Sequence, residues 1–111
     1  MNTTLERLQA RVEQDPDNEL AHFSLGKALF EAGQWAHAQE HLAMATRLQP
    51  DWMAAFILRG KCALALGDLA GARTVLEQAR ALAIRQRHQG PLEETERLLA
   101  QVRSSPGGRG S

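Results

Sequence analysis

The chain has 111 residues with 13 basic and 13 acidic side chains, so its formal net charge is zero at pH 7. Alanine and leucine dominate, with 18 and 16 copies, whereas valine and isoleucine together number five and tyrosine is absent. This composition favours one helical domain and argues against a β-sandwich or barrel, which needs β-branched and aromatic residues.

Turn-forming residues divide the chain into six segments of helical length. We predict helices near 3–14, 18–32, 35–48, 52–66, 69–87 and 91–103. Three glycines are predicted to end helices in the left-handed conformation, namely Gly33, Gly67 and Gly90. Three aspartates are predicted to cap the helices that follow turns, namely Asp17, Asp51 and Asp68. The Ser-, Pro- and Gly-rich residues 104–111 predict a disordered tail.

Two of the predicted helix pairs are copies of each other. A shift of 34 residues aligns 19–50 with 53–84 and gives identical residues at 9 of 32 positions. About three identities would be expected by chance, so the chain contains an internal repeat. Small residues recur where two helix axes would approach closely, at Gly26, Ala38 and Ala45 in the first copy and Gly60, Ala72 and Ala79 in the second.

This helix–turn–helix skeleton resembles the tetratricopeptide repeat (TPR) family. The first copy matches the family pattern at Leu25-Gly26, Gly33, Trp35, Ala38, Leu42, Ala45 and Pro50, and the second at Phe56, Gly60, Gly67, Asp68, Leu69, Ala72, Leu76 and Ala79. His22 and Arg59 depart from the pattern. Ile84 replaces the closing proline, so the fifth helix is expected to continue to about Arg87 or His88.

The resemblance implies an all-α solenoid of antiparallel helix hairpins with about six helices in a single domain over 1–103. We divide this domain into a degenerate half-repeat, two full repeats and a capping helix, at 3–16, 19–52, 53–86 and 91–103. Together these segments supply three helix pairs. That is about the number at which stacked repeats bury a continuous core.

In the TPR family, the first helices of successive repeats line a concave groove that binds peptides or helices of partner proteins. The residues at these positions are Leu20, Phe23, Lys27, Phe30, Ala54, Ile57, Lys61 and Leu64. Their apolar members are expected to hold an amphipathic segment, while the two lysines meet its carboxylates. The resemblance therefore implies a non-enzymatic protein–protein interaction module or scaffold, with an acidic amphipathic protein or peptide as partner.

Other roles for these residues remain open. Apolar stripes on helices are often simply core. The groove could also be filled by a second copy or by the terminal helix, in which Leu92, Leu99 and Val102 share a face. Residues 1–51 carry a net charge of −4 and 52–111 a net charge of +4, which would suit head-to-tail self-association. The basic residues are dispersed among few aromatics, so we expect no nucleic-acid binding.

One motif invites a metal interpretation, because His37-Ala38-Gln39-Glu40-His41 fits the zinc pattern H-x-x-E-H. Repeat packing already accounts for Ala38 and no third ligand is evident, so we expect two solvated histidines. We predict no metal, no cofactor and no catalytic residue. Cys62 aligns with the small Ala28 and is expected to be buried and unreactive.

The cellular setting is predicted from what the sequence lacks. Its first residues show no secretory signal, and no apolar run approaches the ~20 residues that span a bilayer. A single cysteine cannot form an intramolecular disulfide and fits a reducing compartment. We therefore expect a cytoplasmic protein that does not contact membranes.

Overall fold

The computed structural model describes residues 3–105, which form six helices and no strand. They are α1 (Thr4–Gln14), α2 (Glu19–Glu31), α3 (Trp35–Leu48), α4 (Met53–Leu66), α5 (Leu69–Gln86) and α6 (Gln89–Ser104). Each helix packs on the next one, and their short connections make neighbours antiparallel. The predicted all-α fold is confirmed. Of the predicted tail at 104–111, Ser104 is the last residue of α6 and Ser105 its C-cap, and the rest lies outside the described residues.

Two of the three predicted glycine terminators are present. Gly33 and Gly67 adopt φ values of 79° and 78° just after α2 and α4. The prediction for Gly90 is wrong, because this residue lies in the first turn of α6. Arg87 takes the left-handed conformation instead, with φ of 58°, because α5 runs on past Ile84 and ends before any glycine is available.

Only one of the three predicted aspartate caps forms. The Asp68 side chain accepts a backbone N–H of the first turn of α5 at 3.0 Å. Asp17 and Asp51 do not cap, because each helix begins one residue later than a cap at that position requires. Asn18 caps α2 through an equivalent bond of 3.0 Å, and Trp52 stands at the start of α4 without a side-chain cap.

Glycines allow the two helices of each hairpin to approach closely. A Cβ atom on Gly26 would lie 2.7 Å from Leu42 Cγ, and one on Gly60 would overlap Leu76 in the second hairpin. Both leucines are fully buried, so they fill the space that the glycines leave. The four repeated alanines are also fully buried, at Ala38, Ala45, Ala72 and Ala79. The predicted role of the small residues is confirmed.

Arg59, which stands where the family has leucine, links the two repeats. Its guanidinium lies 5.6 Å from the centre of the Phe56 ring, and Nη1 donates a hydrogen bond to Thr46 Oγ1 at 3.0 Å. Burial lowers the pKa of Arg59, and nearby Arg47 lowers it further. The long side chain thus packs as an apolar residue along its stem while its charged end finds a partner on α3.

The last helix, α6, covers the second hairpin. Leu99 and Val102 are buried against Ala63, Ala72 and Leu76 of α4 and α5. Farther toward its start, Leu92 and Leu98 pack on the cluster that includes Met53, Val75 and Leu82. Among residues 3–105, no helix combines the length and the apolar character needed to cross a membrane.

Candidate functional site

A cavity of about 640 Å³ opens between α2, α4 and the first turns of α6. Its lining combines apolar and polar side chains. The apolar members are Phe23, Trp52, Met53, Ala54, Ile57, Leu58 and Pro91, and the polar ones are Lys27, Gln49, Asp51, Lys61, Gln86, His88 and Glu94. A concavity whose walls combine an apolar surface with polar groups is a common form of a binding site.

Five of the eight predicted groove residues meet in this cavity. They are Phe23, Lys27, Ala54, Ile57 and Lys61, contributed by α2 and α4. Ile57 is only 7% exposed and also belongs to the core cluster around Met53 and Phe56. Ile57 therefore forms part of the cavity wall and also packs on the helices behind it.

The other three predicted residues lie elsewhere. Phe30 is half-buried against the core between α2 and α3, and Leu64 is half-buried against the cluster of α4, α5 and α6. Leu20 is 58% exposed and does not line the cavity. The stripe is longer than the cavity, so its C-terminal members pack inside the hairpins while its first member remains in solvent.

Trp52 is a cavity residue that the sequence analysis missed. Its ring stacks on that of Phe23, with centroids 4.5 Å apart and an angle of 29° between the planes. The residue precedes α4, in the connection between repeats, so it lies outside the helical stripe that defined the prediction. The sequence feature that could have identified Trp52 as a site residue is its position, as a large aromatic directly after a proline-containing turn.

Both predicted groove lysines have carboxylate partners within the chain. Lys27 Nζ lies 3.9 Å from Glu31 Oε2, one turn along α2, and both side chains are more than half exposed. Lys61 Nζ lies 2.8 Å from Glu94 Oε2 on α6, and both side chains are about one-third exposed. The two lysines of the expected basic row therefore face carboxylates of the chain itself, closely at Lys61 and only loosely at Lys27.

The histidines of the H-x-x-E-H motif differ from their prediction. His37 is exposed as expected, but His41 is half-buried, and its Nδ1 lies 3.2 Å from Nδ1 of His22. The Nε2–H of His22 donates to the Pro16 carbonyl at 2.7 Å, and in the tautomer that carries only this proton, Nδ1 of His22 accepts from Nδ1–H of His41. Burial first, then His22 and His37, lower the pKa of His41, while Glu40 opposes them.

His22 and His41 thus form a structural pair that joins α2 to α3. Within residues 3–105, no group of three or more His, Cys, Asp or Glu side chains is arranged to hold a metal ion. Cys62 is fully buried as predicted, and burial raises the pKa of its thiol to about 11. The thiol is therefore protonated at neutral pH, which suits packing rather than nucleophilic chemistry.

Comparison with known proteins places this architecture in a family. The family model "Anaphase-promoting complex, cyclosome, subunit 3" matches residues 3–79. A TPR repeat-containing protein of Pseudomonas aeruginosa is 40% identical over 79 residues, which cover 71% of this chain and 75% of the relative.

Two solved structures extend the comparison over more of the chain. A protein of Bordetella parapertussis, solved in solution, is 34% identical with a TM-score of 0.79 and covers 93% of this chain and 90% of its own. PcrH of Pseudomonas aeruginosa, bound to the chaperone-binding region of PopD, has a TM-score of 0.84 at 24% identity, over 90% and 76% of the two chains. The predicted solenoid of helix hairpins is thereby confirmed, and the chain belongs to the tetratricopeptide repeat family.

Proposed function

We propose that this chain is a non-enzymatic interaction module that holds a peptide or helix of a partner protein in the cavity between α2, α4 and α6. The stacked pair of Phe23 and Trp52 is the observation that carries this proposal. Two half-buried aromatic rings beside Ile57 leave an apolar surface exposed to solvent. Hydration of such a surface is unfavourable, and exposed apolar patches usually mark interaction sites.

The fold supports the same role. TPR proteins are known as interaction modules, and the similarly folded PcrH holds the chaperone-binding region of PopD. For this chain we propose an amphipathic segment whose apolar side chains enter the cavity and whose polar face remains in solvent. The proposal needs no cofactor and no nucleic acid, and the lone buried cysteine fits action in the reducing cytoplasm.

Blocking the cavity without disturbing the core provides the test. Ala54 is exposed, lines the cavity and is the second residue of α4, so an Ala54→Glu side chain would project across the binding surface. Ala70 is also exposed and is the second residue of α5, but it lies outside the cavity lining. Both substitutions place a carboxylate in the first turn of a helix, where it is tolerated or stabilising. Ala70→Glu is therefore a matched control.

Binding can be followed with Trp52 itself. The chain has two tryptophans, so a Trp35→Phe variant leaves Trp52 as the sole tryptophan fluorophore, within the cavity. Peptides are first selected from a random display library on this variant and then titrated into it and into its Ala54→Glu and Ala70→Glu derivatives. We expect Ala54→Glu to weaken binding at least about tenfold and Ala70→Glu to leave it within about twofold.

Two results would contradict the proposal. One is a library that yields no peptide, and the other is a set of peptides that bind both variants equally well. Light scattering on the free protein addresses the runner-up, in which a second copy fills the cavity. If the protein forms a concentration-dependent dimer, and Ala54→Glu dissociates it but Ala70→Glu does not, the occupant of the cavity is a second copy of this chain and not a peptide.

A further inference from the structure

The contact between Lys61 and Glu94 joins α4 to α6 at the cavity. The two side chains both line it, and their charged atoms are 2.8 Å apart. In the first repeat, Lys27 pairs weakly with Glu31 four residues later on the same helix, at 3.9 Å. The equivalent of Glu31 in the second repeat is Ala65, so Lys61 has no such partner on α4 and takes its carboxylate from α6.

Glu94 can leave Lys61 while α6 stays in place. The helix is anchored by Leu99 and Val102, which are buried in the α4–α5–α6 cluster, and by a second ion pair between Arg80 and Glu96 at 3.2 Å. Glu94 itself is about one-third exposed, so its carboxylate can rotate into solvent. Partly exposed ion pairs are worth little because water solvates both charges well when they separate.

We infer that Glu94 is an internal occupant of a carboxylate-binding position at Lys61, and that the partner of this chain displaces it with a carboxylate of its own. This inference rests on the proposed binding of a peptide in the cavity and specifies its chemistry. The nearby apolar wall, with Ile57 and the Phe23–Trp52 stack, would hold the partner's apolar residues. A partner with apolar residues alone would leave Lys61 with Glu94, whereas an acidic partner exchanges one carboxylate for another.

If a partner carboxylate displaces Glu94, the effect of a Glu94 substitution on affinity should depend on whether the peptide carries that carboxylate. Removing its charge frees Lys61, so peptides with a carboxylate at this position should bind more tightly to Glu94→Gln. Because a partly exposed pair contributes modestly, we expect a gain of about two- to fivefold. Peptides in which that carboxylate is replaced by an amide should bind wild type and Glu94→Gln equally. The gain should also vanish when Lys61 is replaced by Met.

Glu93 provides a matched control on the same helix. It is exposed, lies outside the cavity lining and contacts Gln89 rather than a lysine, with Gln89 Nε2 donating to Glu93 Oε2 at 3.0 Å. Glu93→Gln thus makes the same change in net charge one residue away. Any gain from a general reduction of negative charge would appear in both variants, whereas displacement at Lys61 appears only in Glu94→Gln.

The experiment uses the Trp35→Phe protein, display-selected peptides and their Asp/Glu→Asn/Gln analogues, with affinities read from Trp52 fluorescence. The inference is supported if Glu94→Gln alone gains affinity, only for carboxylate peptides and only when Lys61 is present. It is overturned if the selected peptides lack carboxylates, or if Glu93→Gln and Glu94→Gln behave alike. Either result leaves the proposed function standing, whereas the absence of any binding peptide would contradict the proposed function itself.

Discussion

Replacing Gly26 with alanine tests whether the repeat glycines act through close helix contact. The added Cβ would lie 2.7 Å from Cγ and 2.8 Å from Cδ2 of Leu42, which is fully buried and cannot move into solvent. Overpacking of this kind costs about 1–3 kcal/mol. Alanine also favours the helix by up to about 1 kcal/mol relative to glycine, so the two effects must be separated.

Ala81→Gly separates them, because Ala81 is exposed in the interior of α5 and its replacement by glycine measures the helix preference alone. We expect Ala81→Gly to lower the free energy of unfolding by up to about 1 kcal/mol. Without a clash, Gly26→Ala would gain that same amount. With the clash, its free energy of unfolding should fall about 1–3 kcal/mol below that clash-free value, which corresponds to a melting temperature at least about 4 °C lower.

Urea and thermal unfolding followed by circular dichroism measure both quantities. Gly60→Ala, which meets Leu76 in the second hairpin, repeats the test at the equivalent position. If Gly26→Ala and Gly60→Ala each gained as much stability as Ala81→Gly loses, the helices would not be in the close contact that the structure shows. The glycines would then need another explanation than packing.

The titratable side chains of His41 and Cys62 give two further predictions. Since the folded state lowers the pKa of His41 below the ~6.5 of an unfolded chain, its contribution to stability is complete above that value and is lost as pH falls through the folded pKa. Urea unfolding should show stability falling as the pH drops below about 6.5, and His41→Gln should flatten that dependence, while His37→Gln, which removes only a lesser cause of the pKa shift, should flatten it less. Cys62, fully buried with its pKa raised to about 11, should react with a thiol reagent at pH 8 only as fast as the protein opens, and equally fast reaction of the folded and urea-unfolded protein would contradict its burial.

The parts of the fold that depend on local sequence and on the repeat were predictable. Gly33 and Gly67 end their helices because a left-handed residue is least costly at glycine. Gly26 and Gly60 were identified by their spacing of 34, and the structure shows the leucines they accommodate. Gly90 misled the prediction because α6 begins at Gln89, two residues earlier than predicted, so Gly90 falls within its first turn and Arg87 takes the left-handed position instead.

The cavity was predictable only where helical periodicity defines it. Phe23 and Ile57 fall on a stripe that any helical projection shows, and both line the cavity. Trp52 was predicted as the first residue of the fourth helix but lies in the connection before it, so helical periodicity does not give the direction of its side chain. The pairing of Lys61 with Glu94 depends on how α6 packs on α4 and α5, a contact between residues 33 positions apart that no local pattern encodes.

The pair of His22 and His41 is a further contact between helices that the sequence did not predict. Spacing alone places His37 and His41 on one face of α3, and that much is correct. The partner of His41 is His22, from a different helix of the hairpin, at a position where the family prefers a large aromatic. Ring stacking at a centroid distance of 5.4 Å lets the two histidines fill that space while a hydrogen bond joins their Nδ1 atoms.

Mapping a bound peptide onto the backbone tests the central claim most directly. Amide resonances of the labelled protein are followed by NMR while a display-selected peptide is added. If the cavity between α2, α4 and α6 is the binding site, the largest shifts fall on Lys27, Trp52, Ala54 and Lys61, and Ala54→Glu abolishes them. Shifts that instead centre on the separate depression beside Trp35 and Leu66 would show that the partner binds elsewhere.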